Sequence, residues 1–90
     1  DNSFNIGGIV GTSWYADPKM SKKGIENSAV GMGCKLGDGI RVNRSAILEG
    51  ARIGENVHLD NCLIGRGSIV PANSRLVDMV IGFNQQYQRK

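Results

Sequence analysis

Large aliphatic residues recur along this chain with a period of seventeen residues. Within one period the spacings are six, six and five, and then the pattern starts again. The positions form three columns, which are Val30, Ile47, Ile64 and Ile81; Leu36, Ile53 and Val70; and Val42, Leu59 and Leu76. Self-similarity at a fixed spacing is typical of repeat architectures. The period therefore indicates a repeated coil with three short sides.

A second column stands two residues before each aliphatic, and most of its members are small, such as Ser45, Ala51 and Cys62. Strand side chains alternate between two faces, so residues two apart point the same way. We therefore predict that the three sides converge on a narrow axis filled by alternating large and small side chains.

Glycine or asparagine stands three residues after every aliphatic on the two six-residue sides, at Gly33, Gly39, Gly50, Asn56, Gly67 and Asn73. These residue types tolerate positive φ, so each position, Gly67 included, is predicted to be a left-handed corner. A helix is excluded because glycine recurs too often and apolar residues do not keep helical spacing. The predicted fold is all-β: a single-stranded parallel β-helix of about three to four triangular coils, with successive coils paired in parallel.

The repeat covers residues 25–82, and both ends depart from it. Residues 1–24 are predicted to be an irregular N-terminal segment with a partial coil around Ile9 and Val10 and an excursion loop that contains Trp14 and Tyr15. Residues 83–90 are predicted to form a polar tail or a short cap. Because the chain opens at Asp1 without an initiator Met or a leader, we interpret it as a piece of a longer protein.

Repeat units such as Val30-Gly31-Met32-Gly33-Cys34-Lys35 resemble the hexapeptide-repeat proteins. That resemblance implies a left-handed β-helix. The five-residue third side is similar to the C-terminal β-helix of nucleotidyltransferase-like proteins. Residues 59–67 and 77–82 are most similar to the gamma subunit of translation initiation factor 2B, and sugar-nucleotide pyrophosphorylases carry similar segments. In both families the nucleotide-handling motif lies in an N-terminal domain, so the resemblance carries over no catalytic residue.

Three functions stay open on this basis. The first is a non-catalytic assembly domain in a translation initiation factor 2B-type nucleotide-exchange complex. The second is the oligomerisation or regulatory domain of a pyrophosphorylase that makes ADP-glucose or GDP-mannose. The third is a small hexapeptide acyltransferase, in which the outward His58 would be the general base. The domain itself is not expected to be an enzyme, whereas the parent chain could be a nucleotidyltransferase.

Four apolar residues, Ala29, Ala46, Leu63 and Val80, immediately precede the inward aliphatics of the first side. They should face outward, and Leu48 and Val77 lie nearby at corners. Contiguous exposed apolar surface usually marks an interface. We therefore predict a strip that contacts other protein subunits or the N-terminal domain of the parent, in a homo- or hetero-oligomer.

Outward basic residues are also seventeen apart: Lys35 and Arg52 on one side, Arg41 and Arg75 on another with His58 between them. They are interpreted as a basic stripe that belongs to a solvated face. Nucleic acid is not expected to be contacted directly, because no aromatic residues lie among these charges to stack on bases.

The overall composition narrows the class of protein further. The net charge of the 90 residues is +3, and no run of about 18 apolar residues suggests a membrane span. Cys34 and Cys62 lack metal-ligand spacing, so no metal or other cofactor is expected. We predict that both are buried, reduced thiols on different sides of the coil, which favours a cytoplasmic protein.

Overall fold

The computed structural model describes residues 13–20 and 22–88, and within them twelve short strands form three parallel sheets. The first sheet contains, in spatial order, β1 (Trp14–Tyr15), β3 (Ala29–Val30), β6 (Ala46–Ile47), β9 (Leu63–Ile64) and β12 (Val80–Ile81). The second contains β4 (Lys35–Leu36), β7 (Arg52–Ile53) and β10 (Ile69–Val70). The third contains β2 (Ile25–Glu26), β5 (Arg41–Asn43), β8 (His58–Asp60) and β11 (Arg75–Val77).

Strand pairing follows the period that the sequence shows. Ile47 is paired with Ile64, and in the other two sheets Val42 is paired with Leu59 and Leu36 with Ile53. Each pair is separated by seventeen residues, so one strand lies directly above its equivalent in the next coil. The predicted all-β solenoid of about four coils is confirmed.

The core is the narrow axis between the three sheets. The large inward residues Ile47, Ile64 and Leu59 are almost completely buried, and so are Ala51 and Val57 of the small column. Side chains that alternate in direction along a strand explain this, because every second residue must point to the axis. Burial of aliphatic side chains, at roughly 1.5 to 3 kcal/mol each, is the main favourable contribution to folding.

All six predicted corners have positive φ, and Gly67 is confirmed with a φ of 69°. A third set of left-handed corners was not predicted. It consists of Asn27, Arg44, Asn61 and Asp78, with φ between 50° and 56°. These residues end the five-residue side, one position before the small column. Arg44 interrupts the pattern, because arginine rarely adopts the left-handed conformation that Asn and Asp tolerate.

Serine hydroxyls connect successive coils at this third corner. The Ser45 hydroxyl donates to the Asn43 carbonyl at 2.8 Å and accepts the backbone N–H of Cys62 at 3.0 Å. Ser28 does the same one coil earlier, donating to the Glu26 carbonyl and accepting the Ser45 N–H at 3.1 Å. A buried N–H without an acceptor is costly, so these hydroxyls replace the backbone acceptor that the corner lacks.

The N-terminal strand corrects the interpretation of an excursion loop. Trp14–Tyr15 pairs with Ala29–Val30, fifteen residues later rather than seventeen. Tyr15 and Met20 pack against the core. The first described coil is therefore two residues shorter than the others, which is why a search at a fixed period misses it. The partial coil expected around Ile9 and Val10 lies outside the described residues.

The C-terminal residues continue the coil beyond Ile81. Asn84 has a φ of 52°, seventeen residues after Gly67, and Gln86 forms a parallel bridge with Ile69. Tyr87 packs against the core and donates its N–H to the Ile69 carbonyl at 2.9 Å. The described part of the expected polar tail is thus a partial coil. The division into residues 1–24, 25–82 and 83–90 stays a prediction.

Candidate interaction surface

The outer side of the first sheet carries two parallel columns of residues, and we call their surface the apolar face. The central column consists of Trp14, Ala29, Ala46, Leu63 and Val80, paired in register across the five strands. The rim column consists of the residues two positions later, Ala16, Gly31, Leu48, Gly65 and Gly82. Backbone hydrogen bonds such as Gly31 N–H to the Ile47 carbonyl continue the pairing to the rim column. None of the ten positions carries a charge, but a Cβ at Gly31 or Gly65 would meet the backbone of the next coil, so these two rim positions do not point freely outward.

Exposure along the central column is uneven, which corrects the expectation of a uniformly exposed strip. Trp14 and Val80 at its two ends are 51% and 73% exposed. Ala29 and Leu63 are partly buried, and Ala46 in the middle is only 7% exposed. Ala46 points outward as predicted by alternation, but a single methyl group between two neighbouring coils has little surface of its own. The large, exposed side chains of the column therefore lie at its two ends, and the surface between them at Ala46 is lower.

Leu48 and Val77, both expected near the strip, lie on different faces. Leu48 belongs to the rim column and is 37% exposed. Val77 is in β11 of the third sheet, where it pairs with Asp60. Its placement in the strip is wrong, because the left-handed corner at Asp78 separates it from the first sheet.

The predicted basic stripe is divided between two faces of the prism. Lys35 and Arg52 are stacked in the second sheet, where Ile69 follows them in register. Arg41 and Arg75 are exposed in the third sheet. These are the two sides that the sequence indicates, and a left-handed corner lies between the two sheets in every coil, so the basic residues do not form one continuous surface.

His58 is exposed and lies between Arg41 and Arg75 in the third sheet. Its outward position agrees with the alternation of the strand. A general base must be within hydrogen-bond reach of the proton that it removes, and a pocket with several convergent polar groups normally holds the substrate. The flat face around His58 presents cationic neighbours in register rather than such a pocket, so nothing in its surroundings favours the acyltransferase alternative.

Charged residues lie at the two borders of the apolar face. Arg44 precedes the central column and contacts Asp60 at 2.8 Å, which draws its guanidinium toward the third sheet. Glu49 follows the rim column, 3.9 Å from Arg66, and the Arg66 guanidinium lies 4.6 Å from the centre of the Phe83 ring. These side chains are largely exposed, and exposed ion pairs contribute only about 0 to 1 kcal/mol to stability. The apolar face is therefore bounded by exposed charged side chains.

A shallow groove opens at the C-terminal half of this face. Asn61, Leu63, Asp78 and Val80 line it, with Cys62 behind them. Its lining is more apolar than polar, and it contains the most exposed residue of the central column, Val80. The groove is thus part of the apolar face and not a separate polar site.

The two cysteines are buried and unpaired, as predicted. Cys34 donates weakly to the Leu48 carbonyl at 3.1 Å, and Cys62 to the Asp60 carbonyl at 3.3 Å. Burial raises the pKa of the Cys34 thiol, because the thiolate would lose its hydration. A neutral, buried thiol is inert, so Cys34 acts as a small packing residue.

Two structural findings add to the description of the site. Among residues 13–20 and 22–88, no group of three His, Cys, Asp or Glu side chains is placed to hold a metal ion. The same part of the chain contains no helix long and apolar enough to cross a membrane.

Trp14 is the large residue of the apolar face that the sequence pattern does not place in the strip. It was interpreted as part of a loop, although it stands directly before the inward Tyr15, as Ala29 stands before Val30. The signal was present in the sequence, since an outward apolar residue precedes an inward large one in both pairs. It could have been found only by allowing the period to shorten to fifteen.

Short parallel strands stacked around a narrow axis, with about seventeen residues per coil, form a β-solenoid, and this fold agrees with that of the C-terminal β-helix domain of nucleotidyltransferase-like proteins. The family model of the GMPPB C-terminal domain matches residues 20–88, and the chain belongs to that family. GMPPB is the β subunit of GDP-mannose pyrophosphorylase. Comparisons with curated proteins and with solved structures give no significant match. The specific resemblance to the gamma subunit of translation initiation factor 2B is not confirmed.

Proposed function

We propose that this chain is a C-terminal assembly domain of a sugar-nucleotide pyrophosphorylase of the GDP-mannose type. In this proposal it joins protein subunits through the apolar face and carries out no chemistry of its own. The family match supports the pyrophosphorylase alternative over the translation-factor alternative that the sequence favoured. The cytoplasmic location expected from two unpaired thiols is part of the same proposal.

The observation that carries the proposal is the absence of charge from the five outward positions of the central column of the first sheet, from Trp14 to Val80. The equivalent positions of the other two sheets include Lys35, Arg52, Arg41 and Arg75. Solvated faces of soluble domains normally carry charged side chains, and a contiguous apolar patch normally marks a contact surface. The fold does not require this pattern, because all three sheets bury the same kind of inward residues. A partner that covers the first sheet explains it.

The test is a substitution that places a charge on the apolar face and leaves the axis intact. Leu63→Glu adds a carboxylate to a partly buried outward position in β9, while the inward Ile64 is unchanged. We expect the parent chain to sediment as an oligomer and the variant to shift to monomer, because a charge within an apolar interface must be desolvated. The β signal in circular dichroism should be retained.

Ile69→Glu is the matched control. Ile69 is also a partly buried, outward aliphatic, but it lies in the second sheet. This variant should sediment like the parent chain. The proposal is contradicted if Leu63→Glu leaves the sedimentation unchanged, or if the parent chain is already a monomer with the apolar face exposed to water.

A further inference from the structure

We propose that the outer face of the third sheet binds a small phosphate monoester that also carries hydroxyl groups, such as a sugar phosphate, in an open cavity beside β2. The inference goes beyond the proposed assembly function, because this face is separate from the apolar face and the cavity needs no second subunit. It follows from three properties of the face: a gap in a column of cationic residues, cations without carboxylate partners, and hydrogen-bonding groups in the neighbouring column.

The cavity lies where the cationic column of the third sheet is interrupted. Arg41, His58 and Arg75 point outward in register in three successive coils. The next position of this column, opposite Arg41, is Gly24, which has a φ of 86°. A Cβ there would meet the Ile40 carbonyl oxygen, so no side chain can stand beside Arg41 in the first coil. The open cavity at this gap has a volume of about 640 Å³, within the range of roughly 300 to 1,000 Å³ that is typical of small-molecule sites.

Two cationic side chains of the cavity have no carboxylate partner. Lys23 directly precedes Gly24, and Arg41 lies opposite that glycine; both cations line the cavity. In residues 13–20 and 22–88, the ion pairs involve Lys22, Arg44 and Arg66 instead. A phosphate dianion matches such a pair, because a guanidinium binds it through two parallel N–H···O bonds and an ammonium adds a compact positive charge. Lys23 and Arg41 are therefore suited to hold the phosphate group.

The neighbouring column of the third sheet provides hydrogen-bonding groups for hydroxyls. Glu26 and Asn43 pair in register there and line the same cavity. The Asn43 side-chain oxygen accepts a hydrogen bond from the Asn27 amide at 3.1 Å, so the NH₂ group of Asn43 remains as a donor. Glu26 is exposed, and its carboxylate is an acceptor. One acceptor and one donor side by side fit adjacent hydroxyl groups of a ligand.

The presence of Glu26 also selects among anionic ligands. A nucleic acid or an anionic membrane surface would bring further negative charge next to this carboxylate, and like charges repel. A nucleobase would lack a stacking partner, because the described residues that line the cavity include no aromatic side chain. A ligand with its charge at one end and hydroxyls at the other fits the two cations on one side and the Glu26–Asn43 pair on the other.

The experiment titrates the full chain with glucose 6-phosphate, inorganic phosphate and glucose in separate series at constant ionic strength. Nitrogen–proton correlation NMR follows the amide signals of Gly24 and Gly39, which both line the cavity. Glucose 6-phosphate should shift these signals to saturation. Inorganic phosphate should shift the same signals with an affinity about tenfold lower, since it makes none of the hydroxyl contacts. Glucose should give no saturable shift, because it lacks the charged group.

Two substitutions separate the roles of the two columns. Arg41→Gln should weaken glucose 6-phosphate and inorganic phosphate alike, by at least about tenfold, because both ligands lose the guanidinium contact. Glu26→Ala should weaken glucose 6-phosphate only. Inorganic phosphate should bind this variant as well as the parent chain or better, since a repelling carboxylate has been removed.

Arg75→Gln is the matched control, because Arg75 is an exposed cation of the same column two coils away from the cavity. It should bind both ligands like the parent chain, and thermal unfolding shows that each variant is folded. The proposal is overturned if glucose 6-phosphate gives no saturable shift at Gly24 and Gly39, or if Glu26→Ala retains the full preference for it over inorganic phosphate. Equal weakening by Arg75→Gln and Arg41→Gln would also reject the site, because phosphate would then be attracted to the basic face as a whole.

Discussion

The first and third sheets have the same architecture and opposite outer surfaces. Both are built from strands stacked at a period of seventeen, with inward columns such as Ile47 and Ile64 in one and Val42 and Leu59 in the other. Their inward residues are equally buried. The outward positions of the third sheet contain Arg41 and Asp60, whereas those of the first sheet contain no charge. The inward residues therefore determine the fold of each coil. The outward residues do not affect that fold, so their charge and polarity can differ from one face to the next.

The comparison also shows that exposure and direction are separate properties. Ala46 and Arg52 both point outward from their sheets, yet Ala46 is nearly inaccessible and Arg52 is exposed. A long side chain reaches water past its neighbours, while a methyl group does not. A nearly inaccessible outward residue such as Ala46 can therefore contribute to the stability of the chain itself.

The largest expected effect on stability follows from the difference in exposure between Ala46 and Arg52. Ala46→Asp places a carboxylate at a position that is 7% exposed, so the isolated chain should lose about 2 to 4 kcal/mol of unfolding free energy. Arg52→Asp, at an exposed outward position, should change it by about 0.5 kcal/mol or less. Urea unfolding measures both. Equal losses in the two variants would show that the outward positions of the two faces are equally accessible to water.

A smaller loss is expected from Ser45→Ala, at the corner that leads into the apolar face. The variant removes the donor to the Asn43 carbonyl and leaves the Cys62 N–H without its acceptor, at a cost of about 1 to 3 kcal/mol. Ser74→Ala is the comparison, because the Ser74 hydroxyl donates to the Pro71 carbonyl of its own coil. Its loss should be the smaller of the two in the same unfolding experiment. A larger loss for Ser74→Ala would show that the hydroxyl contacts between coils are not what stabilises this corner.

A substitution at a left-handed corner should lower the stability of the fold and leave the oligomeric state unchanged. Gly50 has a φ of 73°, and a Cβ there would have only ordinary contacts, the nearest at 3.9 Å. Gly50→Val should therefore cost about 1 to 2 kcal/mol through backbone strain alone, and Gly50→Asn should cost less. Sedimentation of the folded protein should be unchanged in both variants. If valine is tolerated as well as asparagine, the left-handed backbone at this corner is not required.

The smallest expected effect is a dependence of unfolding free energy on pH, caused by the buried Cys34 thiol in the core. The pKa of the Cys34 thiol is raised in the folded chain by burial, so the folded state holds its proton to higher pH than the unfolded state. Its stability is fully present below the ordinary thiol pKa of about 8.5 and is lost as pH rises toward the folded value. Urea unfolding between about pH 7 and pH 10 should show this decline. The decline in unfolding free energy should be weaker in Cys34→Ala. An identical dependence on pH in both proteins would rule out a contribution from this thiol.

The repeat and its corners could be predicted from the sequence because they depend on local rules. Alternation places Ile64 inward and Leu63 outward whatever surrounds them, and glycine at position 67 marks a left-handed turn. The sequence does not reveal the corners at Arg44 and Asp78, because arginine seldom adopts positive φ and the set Asn27, Arg44, Asn61 and Asp78 therefore forms no uniform column. There the stacking of coils holds the conformation, through backbone hydrogen bonds from the Arg44 N–H to the Glu26 carbonyl and from the Asp78 N–H to the Asp60 carbonyl, and these bonds form only after the chain has folded.

The candidate surface was only partly predictable for the same reason. Ala29, Ala46, Leu63 and Val80 were identified as one column from their spacing, and strand pairing places them in register. Val77 was assigned to the wrong face, since its sequence distance from Val80 says nothing about the corner between them. Trp14 was missed because the first coil is shorter than the repeat.

The sequence by itself determined the period, the inward columns and most of the corners, because each follows from the preferences of single residues and from strand alternation. Only the tertiary structure decided which outward residues share a face, how deeply Ala46 is covered, and that Trp14 extends the apolar column. Those properties depend on where the corners fall and on how long each coil is. They emerge when coils stack, since neighbouring side chains then determine what water or a partner can reach.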